Sequence, residues 1–313
     1  MLVMLVVVLL FGSVLVSLIV EALRPAPPIR GELAWAREIP IEWAAVKGHR
    51  LRYIKAGRGP NLVLLHTLRT QLDIFQKVIP TLAQRFTVYA LDFPGHGYSD
   101  IPKVDYEPKL FVEAAVGFLD ELEITDATLA GISIGGTVAL LMAAQHDPRV
   151  KKVVAINPYD YGGGGGLRRS SAVANVIFGL GMIPVLGETV MRFRNRMVER
   201  PIFEGGVAEP DAIPAPLLEE LYLVGARPGH YGAFLNLLRN AHKWDEAHTR
   251  YADIRTAVLL VYGERDWSKP NERATTLHDI PGAKMHTVEG GSHFLCLDRP
   301  REVEELITEF AAT

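Results

Sequence analysis

The chain has 313 residues, 49% of them hydrophobic, and a formal net charge of −3. This length and apolar content suffice for one large buried core, and the small net charge gives no reason to expect a nucleic-acid partner. A single cysteine, Cys296, excludes an internal disulfide, and no paired cysteines or His-Glu-x-x-His segment offers a metal centre, so neither metal nor cofactor is expected.

In chain order, residues 1–20 carry no charged side chain. A helix rising about 1.5 Å per residue would span roughly 30 Å over that stretch, one hydrocarbon thickness. The expectation is a single-pass transmembrane helix anchoring the chain over residues 1–22. A cleaved signal peptide is the rival, disfavoured because no Lys or Arg precedes the apolar run and Val20-Glu21-Ala22 is a poor cleavage site. Arg24, Arg30 and Arg37 follow the run, which by the positive-inside tendency places the remaining domain in the cytoplasm. Pro25, Pro27 and Pro28 make residues 23–37 a stiff extended spacer.

Residues 62–66, 87–92, 127–132, 152–156, 257–263 and 283–288 read as strands, 62–66 and 257–263 as buried ones, separated by helix-like stretches. That alternation argues an α/β domain with a mostly parallel sheet over residues 38–313. The segment Gly131-Ile132-Ser133-Ile134-Gly135 sets a serine on the turn between a strand and a helix. Glycine on either side lets the two elements approach while the serine Oγ projects outward; the blander reading is that Ser133 only caps the helix. A nucleophilic serine needs a base, and the base needs a group that orients it. The strand 257–263 ends in Glu264-Arg265-Asp266, and the strand 283–288 runs into a glycine-rich loop carrying His293. Asp266 is the expected acid and His293 the expected base. Glu264 points the opposite way if strand alternation continues, Asp160 is the alternative acid, and Cys296 has no comparable turn around it. His96, in the turn Phe93-Pro94-Gly95-His96-Gly97, reads as structural, since a histidine in a tight turn usually bonds backbone.

Serine, acid and histidine in this order, each at a strand end, resemble the α/β-hydrolase family, and the likeness runs from about residue 38 to 310. The resemblance implies a mostly parallel eight-stranded sheet with helices on both faces and a helical cap inserted after the sixth strand, at about residues 161–252. It also implies two backbone N–H donors for an oxyanion, at Leu68 and Ile134. Thr67 stands where family members usually carry glycine, and a β-branched residue cannot take the φ values open to glycine, so the loop conformation is left open. A serine at the turn disfavours epoxide opening and dehalogenation, for which members use aspartate there. The implied activity is hydrolysis of a hydrophobic ester or related acyl compound through an acyl-enzyme. Carbon–carbon bond hydrolysis and acyl transfer are alternatives, and a non-catalytic membrane-tethered binding module is the alternative of another class. Within the cap, the run of five glycines at 162–166 and the apolar segment 173–186 suggest a mobile roof, while 216–224 and 231–241 read as amphipathic helices. Oligomeric state is left open.

Overall fold

A computed structural model describes residues 1–312, apart from the side chains at positions 2, 3, 5–8 and 10. Its strands are β1 (Ile41–Val46), β2 (His49–Ala56), β3 (Asn61–Leu65), β4 (Thr87–Leu91), β5 (Ala127–Ile132), β6 (Val150–Ile156), β7 (Ala257–Gly263) and β8 (Lys284–Val288). They form one sheet in the order β1-β2-β4-β3-β5-β6-β7-β8. The pairs β1–β2 and β2–β4 are antiparallel and the others parallel, as the strand pattern led us to expect.

Both faces are covered, which is why the central strands are apolar along almost their whole length. Val63 and Leu65 of β3 join a core cluster with Phe111 and Phe118 of α2 (Pro108–Glu121) and Val138 of α3 (Ile134–Ala144). Leu62 and Leu64, on the other face, join a second cluster with Ile79 and with Val303 and Ile307 of the carboxyl-terminal helix Pro300–Ala312. The alternation follows from successive side chains pointing to opposite faces. Parallel strands also bring their carboxyl ends to one edge, where open α/β sheets bind ligands. Between β6 and β7 the chain inserts a run of helices, the longer α-helices being α4 (Ala172–Gly181), α5 (Leu186–Arg192), α6 (Arg196–Glu204), α7 (Ala215–Gly225) and α8 (His230–Arg239). The five-glycine run folds into tight turns, with the Gly163 N–H donating to Asp245 at 2.6 Å.

The amino terminus corrects an expectation. Residues Leu2–Ala22 form helix α1, but among the described residues no helix is long and apolar enough to cross a membrane. The single-pass transmembrane anchor expected over residues 1–22 is therefore not upheld, and the membrane partner and the cytoplasmic placement derived from it go with it; part of that expectation rested on side chains outside the described residues. The carboxyl half of α1 is instead docked on α5 through polar groups. Ser17 is buried with its hydroxyl donating to the Val14 carbonyl at 2.7 Å. Glu21 accepts from Arg194 at 2.7 and 3.1 Å, and Arg24 donates to the Arg192 carbonyl at 2.7 Å. The following stretch, residues 23–37, also lies on the domain: Leu33 and Ala36 are buried in the second core cluster, and Arg30 pairs with Glu220 at 2.8 Å.

A buried polar network holds the edge of the sheet on the β4 side. Arg52, only 2% exposed, donates to Asp73 at 3.1 Å and to Asp92 at 3.2 Å. Asp92 also accepts from the Leu72 and Tyr98 N–H groups, at 2.8 and 2.9 Å, so one carboxylate fastens two loops. Burial pushes its carboxyl up against the pull of Arg52. Beside it, His66 donates from Nδ1 to the Thr67 carbonyl at 2.7 Å and accepts the Phe93 N–H at Nε2 at 2.9 Å, which fixes a neutral tautomer. His96 donates from Nδ1 to the Pro94 carbonyl at 3.0 Å. Burial lowers His66 to about 4, and burial together with His66 lowers His96 to about 3.

Replacing Arg52 by leucine leaves two buried carboxylates without their counter-charge and should cost about 3–5 kcal/mol. The urea midpoint at constant m-value reads this, and an unchanged midpoint would show the network to be dispensable. The histidines predict an acid limb. Because their folded-state values lie below the ordinary 6.5, their contribution is complete above pH 6.5 and is lost as pH falls toward 4, at up to about 1.4 kcal/mol per pH unit for each. Unfolding free energies measured between pH 7 and 5 should fall accordingly, less steeply in His96→Asn; equal slopes in the two proteins would contradict the assignment of His96.

Candidate active site

Ser133 stands between β5 and α3 with φ 56° and ψ −120°, a conformation an L-residue adopts only under constraint. Its N–H donates to the Ile156 carbonyl at 2.8 Å, and its own carbonyl accepts from Thr137 and Tyr159 at 3.1 and 3.2 Å. The flanking glycines are required by space. A Cβ at Gly131 would lie 2.1 Å from the Gly135 carbonyl oxygen, and one at Gly135 would lie 2.1 Å from that of Leu65. The Ser133 side chain does not cap α3, so the blander reading of this serine fails. Its Oγ is buried without a hydrogen-bond partner among the described residues.

Asp266, just past β7, and His293, in the loop after β8, are joined by a bond of 2.5 Å between Oδ1 and Nδ1, with both side chains fully buried. The second oxygen of Asp266 accepts from the N–H of Ser268 at 2.9 Å and from its hydroxyl. Burial alone would raise the Asp266 carboxyl, but the charge and hydrogen bond of His293 and the two bonds from Ser268 hold it below the ordinary range. With Nδ1 facing a carboxylate, the free nitrogen of the imidazole is Nε2, which is buried and has no partner among the described residues. Acid and histidine are thus brought together, while Ser133 Oγ is not hydrogen-bonded to Nε2.

The other candidates fall elsewhere. Asp160 accepts from Tyr251 at 2.8 Å and from Thr276 at 3.2 Å, and burial raises its carboxyl to about 6. Glu264 accepts the Gly290 N–H at 2.8 Å. The Cys296 thiol is pushed up to about 12 by burial. Two residues went unread in the sequence. Asn157, at φ 44°, donates through its amide to the Ser292 and His293 carbonyls at 3.0 and 2.9 Å and accepts the Gly263 N–H at 2.9 Å, which binds the histidine loop to the ends of β6 and β7. An asparagine directly after a buried strand and before a proline is the signal for such a turn. Trp267 lies flat on the His293 ring, centroids 3.6 Å apart and planes 12° apart, and donates from Nε1 to the Gly205 carbonyl at 2.9 Å. Only its position beside Asp266 hinted at it.

The loop after β3 resolves the question posed by Thr67. The Thr67 carbonyl accepts from His66 Nδ1 at 2.7 Å, from the Thr70 hydroxyl at 2.9 Å and from the Thr70 N–H at 3.3 Å. The positive φ falls two residues later, at Arg69, with φ 55°. In a planar trans peptide the N–H opposes the carbonyl, so pinning the Thr67 carbonyl turns the Leu68 N–H to the other side, where no backbone acceptor meets it. Ile134 is the first residue of α3, and its N–H has no acceptor within the helix. Arg69 carries the loop into the insertion: its guanidinium donates to Glu199 of α6 at 3.0 Å and lies 4.9 Å from the Phe234 ring centre.

Comparison with known proteins agrees with this architecture. Residues 62–306 match the model of the alpha/beta hydrolase family. The chain is 27% identical over 290 residues to an uncharacterized protein of Mycobacterium tuberculosis, covering 87% of this chain and 81% of the relative. It is 28% identical over 276 residues to the 2-hydroxymuconate semialdehyde hydrolase of a Pseudomonas species, covering 85% and 91%. In fold it is similar to Cfl2 of Burkholderia cenocepacia, with a TM-score of 0.78 at 22% identity over 91% of this chain and 99% of that one. It is also similar to the enol-lactonase of Burkholderia xenovorans, with a TM-score of 0.70 at 21% identity over 87% and 100%. With the family model spanning residues 62–306 and the sheet order and strand-end residues described above, the chain belongs to the α/β-hydrolase family and is an enzyme of that kind.

Proposed function

We propose that this enzyme is a serine hydrolase that cleaves a hydrophobic ester or related acyl compound through Ser133, His293 and Asp266. The reading rests above all on one observation: a buried serine held at φ 56° without a hydrogen-bond partner, on the same sheet edge as a fully buried Asp266–His293 pair. Asn157 draws the two together in the fold, since it binds the His293 carbonyl and directly follows Ile156, which accepts the Ser133 N–H. Ser133 Oγ attacks the carbonyl carbon, His293 Nε2 takes the hydroxyl proton and returns it to the leaving alcohol, and water then releases the acyl group by the same route. Asp266 keeps the Nδ1 proton in place. The N–H groups of Leu68 and Ile134 face the developing oxyanion.

The helices between β6 and β7 act as the cap. A cavity of about 240 Å3 lies among α4, α5 and α6, walled by Ile177, Phe178, Val190, Met191, Val198 and Ile202. Arg69, which follows Leu68 directly, also lines it, as do Arg194 and Glu199. The mostly apolar side of this wall favours an acyl chain. Ser133 and His293 are both fully buried, so substrate enters only when the elements above them part. The Pseudomonas relative favours a second reading, hydrolysis of a semialdehyde like the one in its name. The pairing of Arg69 with Glu199 weighs against it, since an anionic substrate would have to displace a carboxylate already seated there.

Ser133→Ala should abolish ester hydrolysis, with a loss of several powers of ten. Asp266→Asn should keep the fold and lose most activity, whereas Asp160→Asn should be mild. Steady-state rates on p-nitrophenyl butyrate check all three, and a severe loss at Asp160 with a mild one at Asp266 would reverse the assignment of the acid. Across p-nitrophenyl esters from acetate to decanoate, kcat/KM should climb about fourfold per methylene until the cavity is full, from about 0.8 kcal/mol per buried CH2. Flat or falling activity beyond acetate would rule out an apolar acyl pocket.

A further inference from the structure

Arg69 departs from what a loop residue needs. Its φ of 55° costs an L-residue about 1–2 kcal/mol, and its side chain is about nine-tenths buried rather than free in solvent. The guanidinium makes one hydrogen bond to Glu199, and Arg69 Nε and Glu199 Oε2 are both buried without partners. Phe234 at 4.9 Å and Phe203 at 6.0 Å flank the charge. Asn195 caps the amino terminus of α6 by accepting from the Met197 and Val198 N–H groups, which fixes the first turn that carries Glu199. The loop is pinned before this residue at the Thr67 carbonyl and after it at the Leu72 N–H, which Asp92 accepts at 2.8 Å. Between these two pins the Leu68–Arg69 peptide is held by a side chain that ends in the cap.

We propose that Arg69 is a positioning residue: its ion pair with Glu199 transmits closure of the cap to the oxyanion loop, so that the Leu68 N–H is aimed at the oxyanion only when the cap is seated. The inference rests on the serine-hydrolase reading and adds to it a coupling between substrate enclosure and transition-state stabilisation. The alternative use of an inward arginine, binding a substrate anion, is disfavoured because Glu199 already neutralises it. When the cap lifts, the pair separates, the strained φ at Arg69 relaxes, and the N–H swings away. An interaction made only in the transition state lowers kcat when removed and leaves KM in place.

The test measures kcat and KM of the full-length enzyme on p-nitrophenyl acetate, which is too short to report on the acyl cavity. Glu199→Gln and Arg69→Met should each lower kcat roughly tenfold to a hundredfold, below the full loss of an oxyanion donor, with KM within about twofold, and Arg69→Lys should recover part of the loss. Because a lone buried charge can unfold a variant, the double variant Arg69→Met with Glu199→Leu removes both charges together. The proposal expects this folded protein to remain as slow as the single variants. A wild-type kcat in Glu199→Gln, full kcat in the double variant, or a raised KM with kcat intact would each overturn the coupling and leave the pair as a brace of the cap. Ser133→Ala in the same assay keeps the two claims apart: if it retains activity the serine reading fails, and if it is inactive while Glu199→Gln is normal only the coupling fails.

Discussion

The site depends on a steric constraint at the end of β5. Strand and helix reverse direction across Ser133 so tightly that no Cβ fits at Gly131 or Gly135, where it would come within 2.1 Å of a backbone carbonyl oxygen. The strained φ of 56° at Ser133 persists because neighbouring backbone over-determines it, with Ile156 on one side and Thr137 and Tyr159 on the other. The same reversal puts the first N–H of α3 at the serine and brings the end of β3 against Gly135, so Ser133, the helix amino terminus and the loop after β3 converge through backbone alone. Side chains then complete the site: Asn157 ties down the histidine loop, and Asp266 orients the ring.

Buried charge is spent differently in the two halves of the molecule. Beneath the sheet edge, Arg52 is shared by Asp73 and Asp92, whose remaining lone pairs are filled by N–H groups, by Gln71 and by Trp35. Arg52 Nε and Gln71 Oε1 are themselves buried without partners, so what makes this network a rigid floor is the number of bonds each carboxylate accepts. Above the site, Arg69 and Glu199 share a single hydrogen bond and leave one polar atom each unpaired. A pair joined by a single hydrogen bond has few bonds to break, which suits the opening contact proposed above. Trp267 belongs to both regimes, stacked on His293 below and bonded to the cap backbone at Gly205 above.

The legible part of the sequence was the part governed by local pattern. Five buried strands appeared as apolar runs because both of their faces are covered, whereas β8 is an exposed edge strand, and Ser133, Asp266 and His293 could be singled out because each lies at or soon after a strand's carboxyl end. What escaped depends on partners far along the chain. Nothing local marks Arg52 until Asp92, 40 positions away, is folded against it, and Arg69 meets Glu199 across 130 positions. Thr67 looked like an obstacle only because the positive φ was sought at the wrong residue. The amino-terminal segment misled for the same reason: hydropathy takes no account of Ser17, Glu21 and Arg24, whose contacts with the cap lie more than 160 residues away.

The central claim is that the hydroxyl of Ser133 carries the covalent intermediate. Labelling the full-length enzyme with a fluorophosphonate and mapping the adduct by peptide mass spectrometry tests it most directly. The account predicts one equivalent of phosphonate on the peptide containing Ser133, and much slower labelling when His293 is replaced by alanine. An adduct on any other residue, or labelling at the wild-type rate without His293, would contradict it.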